Sequence, residues 1–299
     1  MKIHMTTQNT PAFIIHHSAD WDGIFCREIA IRAVPGATVI GWDYGDPIPQ
    51  VPGDAEIWML DISIVELMDH PGLVWIDHHK TAMDKWHHQV NRGYRIDGVA
   101  ACRLAWQFFN CINLPVDKQA FVDRTVDEPL AVRLAGEWDV WDKRDPKAEL
   151  LQHGLRGLDL TREVWDCLLR NPSDMEMIGH ILRGGDMIRR AQSDLDTQHC
   201  AKSAFTTHWK GITWIALNSR GNSLTVASAL KPEHQAICLF YWSADKWTVS
   251  LYQAPGHEHI DLSTIAKSFG GGGHKGACGF IASDHTINDL IYGRKVVPQ

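Results

Sequence analysis

Three apolar runs near the start of the chain each end abruptly in ionisable side chains. Ala12-Phe13-Ile14-Ile15 leads into His16-His17-Ser18-Ala19-Asp20-Trp21-Asp22-Gly23, Ile57-Trp58-Met59-Leu60 into Asp61-Ile62-Ser63, and Leu73-Val74-Trp75-Ile76 into Asp77-His78-His79-Lys80-Thr81. Uninterrupted apolar runs of this length are the pattern of strands buried on both faces. Open α/β sheets bind ligands beyond the carboxyl ends of their strands. Strands that all deliver carboxylates and imidazoles to that edge constrain the chain to a fold that gathers them.

The intervening segments fit such a sheet. A helix is expected from Ile24 to about Val34, a strand over Ala37–Tyr44, a Pro/Gly-rich surface loop over Gly45–Gly53 and a helix around Ile64–Met68. The order β-α-β-β-α-β is that of a mostly parallel, doubly wound sheet. Helices follow over Val99–Asn110, Phe121–Asp127 and Leu130–Leu134, then at Ala148–Gly157, Val164–Leu169 and Met175–Ala201, the last with a kink at Gly184-Gly185. Strands resume at Gly211–Leu217, Ala236–Trp242 and Trp247–Tyr252, the last two flanking a hairpin at Ser243-Ala244-Asp245-Lys246, with helices at Ser223–Leu230 and Leu262–Phe269. This divides the chain into an N-terminal α/β domain (1–185), a helical linker (186–206) and a smaller C-terminal α/β domain (207–299).

Candidate ligands sit where the strands end. His16, Asp20 and Asp22 share one strand-to-helix turn, Asp61 follows the second run, Asp77, His78 and His79 the third, and Asp139 lies in Gly136-Glu137-Trp138-Asp139-Val140-Trp141-Asp142. Blander roles compete: Asp20 as a helix N-cap, Asp139 as a solvent-facing acid between two Trp, Asp142 in its place. If the acids converge, they cannot all stay ionised without cations. Mixed imidazole and carboxylate donors suit Mn²⁺ and similar metals, so a binuclear cluster is expected. A second informative stretch is Gly270-Gly271-Gly272-Gly273-His274-Lys275, whose glycines let backbone amides approach an anion. It lacks Walker A spacing, and a plain flexible turn is its competing reading. Arg183, Arg189 and Arg190 are read as a solvated helix face before an anion site.

The net charge of −7 argues against bulk binding of long nucleic acid. Seven cysteines, odd in number and without a CxxC pair, are read as reduced thiols of a cytoplasmic protein. The first residues lack the apolar core of a signal peptide, and no run approaches a membrane span, so no membrane partner is expected.

With these motifs in order, the chain resembles the DHH/DHHA1 phosphoesterase family. The matching segments are His16-x-x-x-Asp20-x-Asp22-Gly23, Leu60-Asp61-Ile62-Ser63, Asp77-His78-His79, Trp138-Asp139 and Gly270-Gly271-Gly272-Gly273-His274. The resemblance implies an N-terminal DHH domain and a C-terminal DHHA1 domain, and two divalent ions, Mn²⁺ before Mg²⁺ or Co²⁺. One metal would take His16, Asp20 and a bridging Asp61, the other Asp22, Asp61, His78 and Asp139. His17 duplicates His16, but the +4 and +6 spacing to the two acids favours His16. His78, His79 and Asp77 would be the catalytic group, with His79 beside the phosphate and Asp77 orienting imidazoles. Gly271, Gly272, Gly273, His274 and Lys275 would hold the substrate's terminal phosphate or end nucleotide across an interdomain cleft. The implied activity is two-metal hydrolysis of short single-stranded oligonucleotides or related small nucleotides. Cyclic dinucleotides and polyphosphate are alternative substrates, and a nucleotide-binding sensor is the non-enzyme alternative. Any oligomer is expected to be a homodimer. One departure stands out: Thr248-Val249-Ser250-Leu251-Tyr252-Gln253 lacks the basic residue that many DHHA1 modules carry there, and Tyr252 is left as a base-stacking candidate.

Overall fold

The computed structural model describes residues 10–87, 92–111 and 113–292. The chain divides into two units, Met1–Arg189 and Arg190–Gln299. In chain order, unit 1 comprises β1 (Ala12–His17), α1 (Trp21–Ala33), β2 (Thr38–Trp42), β3 (Glu56–Leu60), β4 (Leu73–Asp77), α2 (Lys80–Lys85), β5 (Arg92–Arg95), α3 (Ala101–Asn110), α4 (Gln119–Val122), α5 (Leu130–Asp139), α6 (Lys147–Arg156), α7 (Arg162–Leu168) and most of α8 (Met175–Ser203). Its five strands lie in the order β2-β1-β3-β4-β5, all parallel.

The alternation of side chains along a strand sorts the apolar runs onto two faces. Ile14, Trp58, Leu60, Val74 and Ile76 pack with Phe25 and Ile29 of α1, Leu104 of α3 and Leu134 of α5. Ile15, Ile57, Met59 and Trp75 pack on the other face with Leu67, Met68 and Ala82. Both faces are therefore covered, which explains why these strands read as unbroken apolar runs.

Some expected elements differ. The helix expected near Ile64–Met68 is a single 3₁₀ turn, Val65–Leu67, because Ile62 and Ile64 are buried and pin the connection against the sheet. The expected Phe121–Asp127 helix is α4 alone, closed by Arg124 at φ 56. The helix from Leu130 runs further than expected, to Asp139. Gly184-Gly185, expected as a kink, lies within one continuous helix. The reason for a glycine there is close approach: a Cβ at Gly185 would stand 1.9 Å from the Leu150 carbonyl oxygen of α6, and one at Gly154 2.3 Å from that of Ile181.

Unit 2 continues from α8 with β6 (Phe205–Trp209), β7 (Ile212–Asn218), a 3₁₀ turn (Ser223–Ala229), β8 (Ala236–Ser243), β9 (Lys246–Gln253), α9 (Ser263–Ser268), β10 (Gly272–Gly273), β11 (Ala277–Ala282) and α10 (Asp284–Tyr292). Its mixed sheet has the order β10-β11-β9-β8-β7-β6, with only β7 and β8 parallel. The expected hairpin closes on Ser243 and Lys246. A second hairpin, at Lys210-Gly211 with both φ positive, joins β6 to β7. Sequence reading missed it by taking 186–206 as a helical linker and starting the strands at Gly211. It also missed β10, β11 and α10. Both units are α/β.

Gly185→Ala is expected to destabilise unit 1 by about 1–3 kcal/mol, because the new methyl meets backbone that cannot swing aside. Gly184 has open space around it, so Gly184→Ala is expected to stabilise by up to about 1 kcal/mol through helix propensity. Urea denaturation of the two variants measures this difference in sign.

Candidate metal centre

The strand order reverses between β1 and β3, and their carboxyl ends flank the crevice where doubly wound sheets bind ligands. β1 delivers His17, β3 is followed by Asp61, and β4 ends in Asp77 followed by His78 and His79. Asp20 is the N-cap of α1: its Oδ1 accepts from the Gly23 amide at 3.0 Å, which leaves Oδ2 beside His17 Nδ1 at 2.8 Å. The capping and cluster roles of Asp20 thus coexist on its two oxygens. Gly23 is required because a Cβ there would stand 2.1 Å from the His17 carbonyl oxygen.

Asp22, in the first turn of α1, reaches across to α3 and accepts from the amides of Ala101 and Cys102 at 2.8 and 2.7 Å. It thereby satisfies the first amides of a helix that has no side-chain cap of its own. Asp139 stands at the last residue of α5. That helix is anchored by the fully buried Glu137, which accepts from Arg124 at 2.7 and 2.9 Å and from Arg133 at 2.9 Å.

Among the described residues, three groups of ligand atoms lie within 4.8 Å of one another: His17, Asp20 and Asp61; Asp22, His78 and Asp139; and Asp61, His78 and His79. Asp61 joins them. Its Oδ2 lies 3.4 Å from His17 Nδ1, and its Oδ1 lies 3.4 Å from His78 Nε2 and 3.9 Å from His79 Nδ1. His78 Nε2 is also 3.2 Å from Asp139 Oδ2 and 3.6 Å from Asp22 Oδ2. Asp61 is 1% exposed and held at φ 60, a left-handed conformation that a non-glycine residue adopts at a cost.

The donor set fits divalent cations on two grounds. Both carboxylate oxygens of Asp61 are buried without a hydrogen-bond partner, whereas buried polar atoms are normally satisfied. The charges also conflict. Burial, and then the charge of Asp22, push the carboxyls of Asp61 and Asp139 well above the usual carboxylate range. Burial pulls the His17 imidazolium down, but Asp20 and Asp61 outweigh it and push it up to about 11. Without added positive charge the cluster therefore retains protons, and a cation relieves this.

Asp77 is fully buried and has a different task. It accepts from the amides of His78 and His79 at 2.7 and 3.1 Å, from the Trp75 indole at 3.1 Å and from His79 Nδ1 at 2.7 Å. The His79 ring is thus oriented with Nε2 as its remaining donor. Burial pulls its imidazolium down, but bonding to Asp77 more than compensates and raises it.

The structure brings Asp20, Asp22, Asp61, His78, His79 and Asp139 together, with Asp77 behind them. It does not bring His16, whose side chain is 3% exposed, sits beside Gly41 of β2, and has its Nδ1 2.7 Å from the His17 carbonyl oxygen. Successive side chains on a strand point opposite ways, so only one of the two histidines enters the cluster, and it is His17. Burial lowers the His16 imidazolium. Asp142 is also outside, paired with Arg144 at 2.6–3.0 Å. Sequence reading missed Asp43, whose Oδ1 lies 3.4 Å from His17 Nε2. Its signal was present, because β2 too is followed by an acid.

In unit 2 the glycine run is bound into the fold more tightly than an open nest. The amides of Gly270 and Gly271 donate to Lys267 and Ala266 in a Schellman close of α9, with Gly270 at φ 78. Gly272 and Gly273 pair with β11, and the His274 amide donates to Ala277. Gly272, Gly273, His274 and Lys275 are exposed. Tyr252 packs on the core and donates its hydroxyl to Gly221 at 3.3 Å.

No protein-family model matches the sequence, and no curated protein matches it. Solved structures do match. PggH from Vibrio cholerae, a pGpG-specific phosphodiesterase, superposes with a TM-score of 0.52 at 13% identity, over 93% of this chain and 95% of its own. The DHH domain of a member of the S1p family of ribosomal proteins superposes with a TM-score of 0.57 at 14% identity, over 95% of this chain and 85% of its own. The chain has the DHH-type fold, as the resemblance implied.

Mn²⁺ titrated into metal-free protein at pH 7 is expected to release protons, since His17, Asp61 and Asp139 hold them above their usual range. Affinity is therefore expected to rise with pH. Calorimetry in two buffers of different ionisation enthalpy tests this, and identical heats contradict it. Asp77→Asn is expected to weaken binding about 10–100-fold through loss of ring orientation.

Proposed function

We propose that the chain is a metal-dependent phosphoesterase that hydrolyses short oligonucleotides or related small nucleotides, with two Mn²⁺ ions as cofactor. The observation that carries this reading is Asp61: a strained, buried carboxylate with both oxygens unsatisfied, one facing His17 and Asp20, the other facing His78. His17, Asp20 and Asp61 would hold one ion, and Asp22, Asp61, His78 and Asp139 the other. When bound, such a pair supplies Lewis-acid charge and a water activated at neutral pH.

The remaining work falls to the chain's own groups. His79, its ring aimed by Asp77 and its imidazolium favoured by that carboxylate, donates from Nε2 to a phosphoryl oxygen as negative charge builds there. Asp22 and Asp20 tie the cluster to the starts of α3 and α1, so neither carboxylate has to reorganise when substrate arrives. In unit 2 the exposed His274 and Lys275, beside Gly272 and Gly273, would bind an anion, whereas the Gly271 amide is already spent on Ala266. PggH, with the same fold, acts on pGpG, a nucleotide of the class proposed. The net charge of −7 favours small substrates over long polymers.

The test is a panel of two- to ten-nucleotide RNA and DNA, phosphoadenosine phosphate, cyclic dinucleotides and polyphosphate, assayed with Mn²⁺. Shortening of the oligonucleotides is expected, and turnover of cyclic dinucleotides or polyphosphate alone would reassign the substrate. Asp61→Asn is expected to cost several kcal/mol of transition-state stabilisation, about a thousandfold in rate. His79→Asn is expected to cost about 10²–10³-fold as a lost donor. Silence across the panel in protein that binds no metal would leave a nucleotide sensor instead.

A further inference from the structure

A pocket of about 420 Å³ adjoins the cluster, a size within the range of small-ligand sites. Carboxylates of the cluster, including Asp139, form one side of it. Trp21, Trp138 and Trp141 form the aromatic part, and Gln152 and Arg156 of α6 complete it. The phosphoester chemistry proposed above makes no use of these five side chains.

Three observations define what the pocket takes. Trp141 is 45% exposed on a tightly bonded turn: its φ is 58, its amide donates to Trp138, and the following Asp142 amide donates to Glu137 at 2.7 Å. Its ring lies 5.1 Å from that of Trp138, inclined at 58°, and carries the Lys143 ammonium 3.7 Å from its centroid. A large indole half exposed to water beside a second aromatic ring is suited to a flat π-faced ligand. Gln152 is 4% exposed, and its Nε2 is buried with no hydrogen-bond partner. A buried donor left unpaired awaits an acceptor. Arg156, one turn further along the same face of α6, is exposed and has no carboxylate partner among the described residues.

We propose that this pocket is a nucleobase subsite of the phosphoesterase centre. The base stacks on the half-exposed Trp141 ring with Trp138 at its edge, an acceptor on its edge takes the Gln152 Nε2 hydrogen, and Arg156 meets the base edge or its phosphate at the mouth. A sugar phosphate alone presents neither the π face nor the base-edge acceptor. The site therefore selects a nucleotide over a simple phosphoester, and the assignment rests on the phosphoesterase reading only for what the adjoining cluster does.

The probes are GMP and ribose 5-phosphate, titrated into the Mn²⁺-loaded full chain by calorimetry and by tryptophan fluorescence. GMP is expected to bind at least about tenfold tighter, the factor that stacking one base supplies, and to quench fluorescence. Trp141→Ala and Gln152→Leu are expected to narrow that preference, Gln152→Leu being close in volume and leaving the helix pattern intact. Equal affinities for the two probes in the wild-type protein would overturn the subsite whatever the variants do. Hydrolysis of bis(p-nitrophenyl) phosphate by the wild-type protein separates the two readings. Turnover without base preference removes the pocket and keeps the phosphoesterase, while base preference without turnover does the reverse.

Discussion

Four carboxylates and three imidazoles share one small volume at the edge of a parallel sheet, and the N-terminal unit is arranged around that crowding. Like charges so close oppose folding unless something offsets them. Much of the offset comes from backbone amides. Asp20 accepts from the start of α1, Asp22 from the start of α3, and Asp77 from two loop amides and an indole. The helix dipoles of α1 and α3 point the right way for this. Asp61 is the exception, with neither oxygen satisfied and its backbone strained. Strain of that kind survives where the surroundings over-determine it and where function uses it.

A second consequence is a division of labour among histidines that sequence neighbours would not suggest. His16 and His17 are adjacent, yet one is a buried ring beneath β2 and the other a cluster member carrying charge. His78 and His79 are adjacent too. His78 faces three carboxylates, whereas His79 is turned by Asp77 and kept as a donor. The backbone separates the first pair, sending His17 into the cluster and His16 away from it; in the second pair the rings lie 4.6 Å apart, and their hydrogen-bond and ion-pair partners give them different roles.

Much of this was legible in the sequence because a parallel sheet imposes a simple code. Apolar runs mark strands covered on both faces, and the residues that follow them lie at the ligand edge. Asp20, Asp22, Asp61, Asp77, His78 and His79 were all found by that rule. Asp139 had to be weighed against Asp142; in the fold Asp139 lies 3.2 Å from His78, whereas Asp142 pairs with Arg144. The Gly184-Gly185 pair was legible as unusual but not in its meaning, since close helix approach is a property of two segments distant in sequence.

The sequence by itself determined the α/β class, the strands of the N-terminal sheet and the residue types that crowd its edge, because these follow from local patterning and composition. Only the tertiary structure decided which histidine enters the cluster, since a one-residue difference in strand parity reverses a side chain's direction. Only it showed that Asp22 caps a helix about eighty residues away and that Glu137 anchors the helix bearing Asp139. It also joined Trp21, Trp138, Trp141, Gln152 and Arg156 into one pocket. Each of these depends on contacts between segments far apart along the chain, and no local pattern encodes them.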